Sequence, residues 1–338
     1  MRTGIFCTLD HHPDLQPSVA GLYRRALEEA TTAEELGLES FWVAEHHFAA
    51  YGVSPDPAVL LATIAARTTR LRVGTATAVL PLHNPLRTAE TYALVDQLSG
   101  GRLEFGVGSG YLHHEFAGFG IAPEEKRERF DEALAIIQLA WSGAPVVFAG
   151  RFHHFAAGPI NVLPVLAGGP PIHVGLTRPD AAPHIGRLGL HLATVPYIAL
   201  SGWSALAELI ATYRAAVPPG QRPEVSVAMH VFCGPGPWHA PADPAYAQAE
   251  AALDRYLRTR VVPGARYAGP PVSRDFVLFG DPGQLAGRCA ALEALGVDRL
   301  LLITSYGGIP EAEVLASLRR LAPVLQRLAA DPENRAGA

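Results

Sequence analysis

The stretch 72-RVGTATAVLPLHNPLRTAETYALVDQLSGGRLEFGVG-108 contains one complete strand–helix–strand unit and therefore sets the fold class. Its apolar and β-branched residues predict a strand over 71–79, and the helical segment 87–99 ends at a pair of glycines. A second apolar run predicts the next strand over 102–108. Because strands joined through a helix run parallel, this unit predicts a parallel sheet covered by helices.

The same alternation continues on both sides of this unit. The predicted strands cover 3–9, 40–45, 71–79, 102–108, 171–176, 191–195, 224–234 and 298–304. The predicted helices cover 18–37, 56–69, 87–99, 124–141 and 245–260. Repeated βα units are compatible with an open doubly wound sheet or a closed barrel. Eight strands favour the (β/α)8 TIM barrel.

Two irregular regions interrupt the alternation, at about 142–170 and 235–275. The first predicts a hairpin with a proline-rich return, and the second predicts a helix between two loops. Late insertions in a barrel usually cover the carboxyl-terminal mouth, where active sites are built. We therefore expect one domain over 1–338 with insertions over the mouth, and Trp238, Tyr256 and Tyr267 are candidates for lining a substrate cavity.

Composition excludes several classes of function. The net charge is −5, and no cluster of basic residues suggests a nucleic-acid or membrane surface. No apolar run reaches the ~20 residues of a transmembrane helix, and the amino terminus does not resemble a signal peptide. The three scattered cysteines do not predict a disulfide framework. A cytoplasmic protein with a small-molecule substrate is expected.

Polar residues follow the predicted strands at their carboxyl ends. The segments are Cys7-Thr8 followed by Asp10-His11-His12, Glu45-His46-His47, Thr75-Ala76-Thr77, Gly108-Ser109-Gly110-Tyr111, Thr177-Arg178 and Thr304-Ser305-Tyr306. In a barrel these ends meet at one mouth, so we expect the functional side chains there.

The segment 45-EHH-47 raises the question of a metal site. Adjacent residues of an extended segment point to opposite faces, so His46 and His47 cannot easily chelate one ion together. No H-E-x-x-H or C-x-x-C spacing occurs in the chain. A site built from distant ligands such as His11 stays open, as does the plain alternative that the histidines only fill the end of a strand.

Two further segments suggest an anionic ligand. The run 106-GVGSGY-111 is similar to a dinucleotide loop but has Tyr111 where the last glycine would stand, so it also fits a simple tight turn. In 175-GLTRPDAA-182, Thr177 and Arg178 precede a predicted helix start at Pro179. This segment fits an anion site, and equally a threonine that only caps the helix.

The segments 41-FWVAEHHFAAYG-52 and 72–120 together resemble the bacterial-luciferase-like family of flavin-dependent monooxygenases. The segments 170–182 and 305–310 fit the family more loosely, and the resemblance extends from the first strand to the last helix. It implies a TIM barrel that binds reduced FMN at its mouth.

Position by position, the resemblance implies the following roles. His46 matches the catalytic histidine near the reactive edge of the flavin, with Glu45 and His47 as its neighbours. The Ala76–Thr77 bond matches a non-prolyl cis peptide. The remaining expected cofactor-binding residues are Thr75, Gly108, Ser109, Gly110, Tyr111, Thr177 and Arg178, with the phosphate near Ser109, Thr177 and the backbone around Asp180.

The chain departs from the luciferase catalytic subunit at three places. Gly108 stands where that subunit has a reactive cysteine, Ser109 where it has an arginine, and Leu176 where it has an acidic residue. These departures make light emission from long-chain aldehydes an unlikely activity. Arg178 is a hypothetical replacement for the missing positive charge.

The resemblance implies an enzyme that uses reduced FMN and O2, through a flavin C4a-peroxide, to oxidise a small organic substrate. His46 would set the protonation state of the peroxide or orient it. No segment suggests an NAD(P)H site, so a separate NAD(P)H flavin reductase is expected to supply the cofactor. An F420-dependent oxidoreductase that transfers hydride, a non-catalytic flavin-binding protein and a metal-dependent hydrolase are the alternatives. The apolar second and third helices agree with the homodimer common in the family.

Overall fold

Eight parallel strands close into a barrel, which confirms the predicted (β/α)8 fold. The structure is a computed structural model and describes residues 1–15, 18–50, 52–176, 178–200, 202–239, 244–259 and 276–330. Its strands are β1 (Arg2–Cys7), β2 (Ser40–Val43), β3 (Arg72–Thr75), β4 (Ala78–Val79), β5 (Leu103–Gly108), β6 (Val146–Ala149), β7 (His154–Ala157), β8 (Ile172–Leu176), β9 (His191–Thr194), β10 (Val225–Cys233), β11 (Val277–Gly280) and β12 (Arg299–Ile303).

Helices surround the barrel. They are α1 (Val19–Glu35), α2 (Pro57–Arg67), α3 (Pro85–Ser99), α4 (His113–Gly118), α5 (Lys126–Trp141), α6 (Ala182–Arg187), α7 (Pro196–Ala199), α8 (Trp203–Ala216), α9 (Pro244–Thr259), α10 (Pro282–Ala294) and α11 (Glu311–Ala330). The predicted helices are confirmed within a few residues. α3 begins two residues earlier than predicted because the Asn84 side chain accepts hydrogen bonds from the Leu86 and Arg87 N–H groups. Among the described helices, none has the length and apolarity needed to cross a bilayer.

Closure of the barrel depends on β10, its longest strand. Going around the barrel, the order is β1, β2, β3, β5, β8, β9, β10 and β12, and β12 pairs again with β1. The first half of β10 pairs with β9 and its second half pairs with β11, an extra strand that the sequence analysis did not predict. All eight predicted barrel strands are therefore present, and β11 widens the wall near the mouth.

The third predicted strand, 71–79, is divided into β3 and β4. The peptide bond between Ala76 and Thr77 is cis, which confirms the geometry that the family resemblance implied. β4 then pairs with the last residues of β5, so the chain stays in the sheet after the interruption.

The amino-terminal end of the barrel is closed by a buried network of charges. Arg299 is 1% exposed, and its guanidinium pairs with Glu104 at 3.1 Å and with Glu224 at 2.9 Å. His173 contacts the other Glu104 oxygen at 2.7 Å. Burial by itself would raise the pKa of Glu104, but Arg299 and His173 hold it well below its usual range. The network therefore supplies the Glu104 carboxylate with the charges and hydrogen bonds that its burial requires.

This network contains a group of side chains with metal-ligand chemistry. Ligand atoms of His173, His191 and Glu224 lie within 4.8 Å of one another. However, Glu224 is already paired with Arg2 at 2.5 Å and with Arg299, and the Nδ1 atom of His191 accepts the Glu224 N–H at 2.9 Å. Two arginines beside the group oppose a cation, so we interpret it as part of the network.

The two insertions take different positions. The hairpin β6–β7 of the first insertion lies against α5, where Glu132 accepts the N–H groups of residues 151–153. In the second insertion, α9 reaches the mouth through Tyr256. Trp238 instead packs on Phe279 and donates to Glu250, and Tyr267 lies outside the described residues.

Candidate active site

A cavity of about 110 Å³ lies at the carboxyl ends of the barrel strands, where the sequence predicts the functional residues. Eight of the predicted site residues line it, and these are Glu45, His46, Ala76, Thr77, Gly108, Ser109, Gly110 and Tyr111. The barrel therefore brings together residues from three separate segments of the chain.

His46 is held in the cavity by a carboxylate. Its Nδ1 atom lies 3.1 Å from the Oε1 atom of Glu115, a residue of α4 that is 2% exposed and also lines the cavity. The same oxygen accepts the backbone N–H of His47 at 2.9 Å. Glu115 thus fixes both the ring and the backbone beside it, and the ring of Tyr111 meets His46 edge-on at 6.4 Å. A carboxylate in this position orients an imidazole for proton transfer.

Glu45 connects β2 to the segment that follows the cis peptide. Its carboxylate contacts His47 Nε2 at 3.0 Å and His83 Nε2 at 2.7 Å, and accepts the Val79 N–H at 3.0 Å. Burial alone would raise the pKa of Glu45, but the hydrogen bonds from the two histidines lower it to about 2. Glu45 in turn raises the pKa of His83, although the burial of the His83 ring opposes this rise. Glu45 is therefore ionised, and at the cavity wall it binds His47, His83 and the backbone at Val79 together.

Two predicted site residues have other surroundings. The backbone leaves strand geometry after Val43, and His47 turns away from the cavity, toward Glu45 and the ring of Phe119. The Thr75 hydroxyl donates to the Gly106 carbonyl and is fully buried. Thr177 lies outside the described residues.

Thr77 fills the space beside two glycines. A Cβ atom added at Gly108 would meet Thr77 Oγ1 at 2.4 Å, and one added at Gly175 would meet Thr77 Cγ2 at 2.6 Å. The Thr77 side chain therefore occupies the space that a side chain at position 108 would need. No hydrogen bond of the Thr77 hydroxyl is found within the described part of the chain, and the hydroxyl stands at the cavity wall.

A larger cleft of about 330 Å³ adjoins the cavity and shares Ser109, Gly175 and Leu176 with it. Its basic residues are Lys126, Arg127, Arg178 and His184. The predicted cation Arg178 is 74% exposed and pairs with Asp180. Lys126 is more enclosed, and its amine lies 3.4 Å from the Gly110 carbonyl oxygen. Burial and the nearby Arg178 charge lower the pKa of Lys126. The cleft is suited to an anion.

The sequence analysis missed Glu115 and Lys126. Each carried a signal, because Glu115 is an acidic residue shortly after the loop that follows β5 and Lys126 is the only lysine of the chain. Neither signal says which partner the side chain meets in the fold, so neither identifies a site by itself.

The model of the luciferase-like monooxygenase family matches residues 1–299. The chain belongs to this family. The crystal structure of monooxygenase RslO1 from Streptomyces bottropensis is similar to this luciferase-like chain, with a TM-score of 0.86 and 28% identity, covering 98% of this chain and 100% of that one. The flavin-dependent trigonelline monooxygenase, oxygenase component, of Acinetobacter baylyi is 26% identical over 237 residues, which are 69% of this chain and 65% of the relative.

The family fold also occurs with another cofactor. An F420-dependent secondary alcohol dehydrogenase, in complex with an F420–acetone adduct, has a TM-score of 0.72 and 18% identity, and the match covers 96% of this chain and 98% of that one. At this identity the likeness shows the fold alone. This luciferase-like chain spans about half the length of the first curated relatives it matches.

Proposed function

We propose that this protein is an FMNH2-dependent monooxygenase that oxidises a small organic substrate with O2. A separate NAD(P)H flavin reductase would supply the reduced FMN. The observation that carries the proposal is the junction of the two spaces at Ser109, with a cavity holding His46 and Glu115 on one side and a basic cleft holding Lys126 on the other. The trigonelline relative, an oxygenase component by name, supports a reductase partner.

The described residues fit FMN. A flat ring needs a wall without protruding side chains, and at Gly108 and Gly175 the space beside the backbone is already filled by Thr77, so neither glycine position projects a side chain into the cavity. We call the part of the cavity beside this wall the flavin slot. A phosphate needs positive charge and hydrogen-bond donors, which Lys126 and Ser109 would provide. We therefore assign Lys126 the role that the sequence analysis gave to Arg178, because the Arg178 guanidinium is already paired with Asp180.

When bound, reduced FMN supplies the electrons that activate O2. In our proposal His46 holds or moves a proton at the cavity wall, and Glu115 keeps its ring oriented through Nδ1. Glu45 holds the backbone after the cis peptide, next to the slot. The apolar side chains of the opposite wall exclude water, which strengthens the electrostatic interactions inside the cavity.

F420-dependent hydride transfer is the alternative that the shared fold favours. F420 also combines a flat ring with an anionic tail, so it fits the same two spaces. The cofactors can be compared by anaerobic titration of the protein with FMNH2 and with F420H2, followed by mixing with O2. Tighter binding of FMNH2, and a reoxidation rate that depends on His46, support the monooxygenase. Preferred binding of F420H2 would overturn it, and FMNH2 binding with no effect of His46→Ala would indicate a non-catalytic flavin-binding protein.

The single lysine allows a direct test of the cleft. Reductive methylation followed by mass spectrometry measures the reactivity of Lys126 against that of the amino-terminal amine. We expect FMN to protect Lys126, and riboflavin, which lacks the phosphate, to give no protection. Lys126→Met should weaken FMN binding by about 10- to 100-fold and leave riboflavin binding unchanged, since a charge-assisted hydrogen bond contributes about 1.5–3 kcal/mol. Equal protection by both ligands would contradict the assignment.

A further inference from the structure

The cavity has two chemically different walls. The carboxylate and imidazole groups among its described lining residues, Glu45, His46 and Glu115, all come from the loop after β2 and from α4. In the barrel order, β9 is the strand diametrically opposite β2. The wall formed by β9, α7, β10, α9 and β12 therefore faces His46 across the cavity.

This opposite wall is apolar and aromatic except for Thr194, whose hydroxyl donates to the Leu176 carbonyl oxygen. Its described lining residues include Ala193, Tyr197, Ala228, Tyr256 and Leu301, none of which carries a charge. Tyr197 and Tyr256 are 2% and 1% exposed, so packing fixes both rings.

A buried histidine packs against both tyrosine rings. The His230 ring is fully buried, and its centroid lies 5.1 Å from that of Tyr197 and 4.8 Å from that of Tyr256. Tyr306, from the loop after β12, meets the same imidazole edge-on at 4.9 Å. These four side chains come from four separate segments, so the aromatic surface is part of the barrel wall.

We propose that Tyr197 and Tyr256 form the substrate-binding wall and select an uncharged planar ring system over a linear chain or a charged molecule. This inference rests on the proposed function, because it places the substrate opposite His46. A preformed aromatic surface favours a flat ring, which stacks without ordering flexible bonds, whereas a linear aldehyde must lose rotational freedom. An ionic group would lose its hydration against this wall without gaining an oppositely charged side chain, because none of the wall's described lining residues carries a charge.

Equilibrium dialysis of the FMN-saturated protein tests the proposal, because FMN fills the flavin slot and leaves only the substrate side. The probes are 1-naphthol, decanal and 1-naphthalenesulfonate. We expect 1-naphthol to bind about tenfold tighter than either of the others. Tyr256→Leu should weaken 1-naphthol binding about tenfold, and Tyr256→Phe, which keeps the ring, should change it less than threefold.

Tyr246→Leu is the matched control, since Tyr246 is a buried tyrosine of the same helix that packs on Phe232 and does not line the cavity. It should leave 1-naphthol binding unchanged. If Tyr256→Leu does not fold, Tyr197→Leu takes its place. Decanal binding as tightly as 1-naphthol, no 1-naphthol binding, or binding insensitive to the leucine variants would overturn the proposal. Each result can occur with FMN still bound. If FMN does not bind, the proposed function fails. The same probes measured on the protein alone then test the tyrosine wall separately.

Discussion

At the scale of single residues, the site depends on pairs that lie far apart in the chain. Glu115 Oε1 meets His46 Nδ1 across 69 positions of sequence, and the Gly108 position is matched to Thr77 by close packing. In each pair one member is recognisable from the sequence as a candidate site residue. The role of the other member follows only from its contact with that residue.

Glu115→Gln should separate the orientation of the His46 ring by Glu115 from the effect of the Glu115 negative charge. The amide oxygen can still accept the hydrogen bonds of His46 and His47, but the negative charge is lost. We expect the affinity for FMNH2 to change less than threefold and the reoxidation of bound FMNH2 to slow about tenfold, as measured by stopped-flow absorbance. His114→Ala, in the same helix, is the control, because His114 contacts only the His47 carbonyl oxygen among these groups. Unchanged reoxidation in Glu115→Gln would remove the positioning role.

Glu115→Ala should also destabilise the fold, because the His47 N–H and His46 Nδ1 lose their acceptor. We expect the free energy of unfolding to fall by about 2 kcal/mol, measured by urea denaturation. Together the two variants distinguish a residue that only supports the fold from one that acts on His46.

Gly108→Ala should close the flavin slot. The added methyl group would lie 2.4 Å from Thr77 Oγ1, so one of the two groups must move into the cavity. We expect FMN affinity to fall at least tenfold, about 1.4 kcal/mol, as measured by fluorescence quenching. The double variant Thr77→Ala/Gly108→Ala removes the clash and should restore affinity to within threefold. Wild-type affinity in Gly108→Ala alone would show that the slot is not used.

At the scale of elements, Glu45 ties the end of β2 to β4 and to the turn containing His83. The folded-state pKa of Glu45 is about 2, against an ordinary value of 4.5. The unfolded chain therefore takes up the proton first as the pH falls. The stabilisation by Glu45 is fully present above about pH 4.5 and is lost progressively toward pH 2.

Glu45→Gln should remove this stabilisation. We expect the free energy of unfolding to fall by about 3 kcal/mol at pH 7, and the loss of stability between pH 4.5 and pH 2 to become smaller than in the wild type. Urea denaturation across this pH range measures both effects. Glu90→Gln is the control, because among the described residues Glu90 forms only an exposed ion pair with Arg87 at 3.7 Å. If the free energy of unfolding of Glu45→Gln fell with pH in parallel with that of the wild type, the role assigned to Glu45 would be contradicted.

At the scale of the whole molecule, apolar side chains remain exposed on neighbouring helices. Leu94 and Leu98 of α3 are 50% and 59% exposed, and Val59 of α2 is 67% exposed. The two leucines are one helical turn apart and so share a face of α3. This agrees with the homodimer expected from the family, which we retain as a proposal.

Leu94→Glu/Leu98→Glu should prevent this association. We expect the wild-type protein to have the mass of two chains in analytical ultracentrifugation and the double variant to have the mass of one chain. Val147→Glu is the control, because Val147 is also exposed, at 71%, but lies on the hairpin of the first insertion. A monomeric wild-type protein would contradict the dimer.

The sequence by itself determined the alternation of strands and helices, because their periodicities are local and each βα unit carries its own, and the count of eight strands favoured the barrel. It also located the mouth residues, since the polar segments directly follow the strands. Only the tertiary structure decided which residues meet. Glu115 on His46, Lys126 in the basic cleft, Thr77 over Gly108 and the tyrosine wall around His230 are all contacts between distant segments. No local pattern encodes such contacts, because they depend on the register and closure of the barrel. For the same reason Thr75 and His47, which share their segments with cavity residues, have different partners.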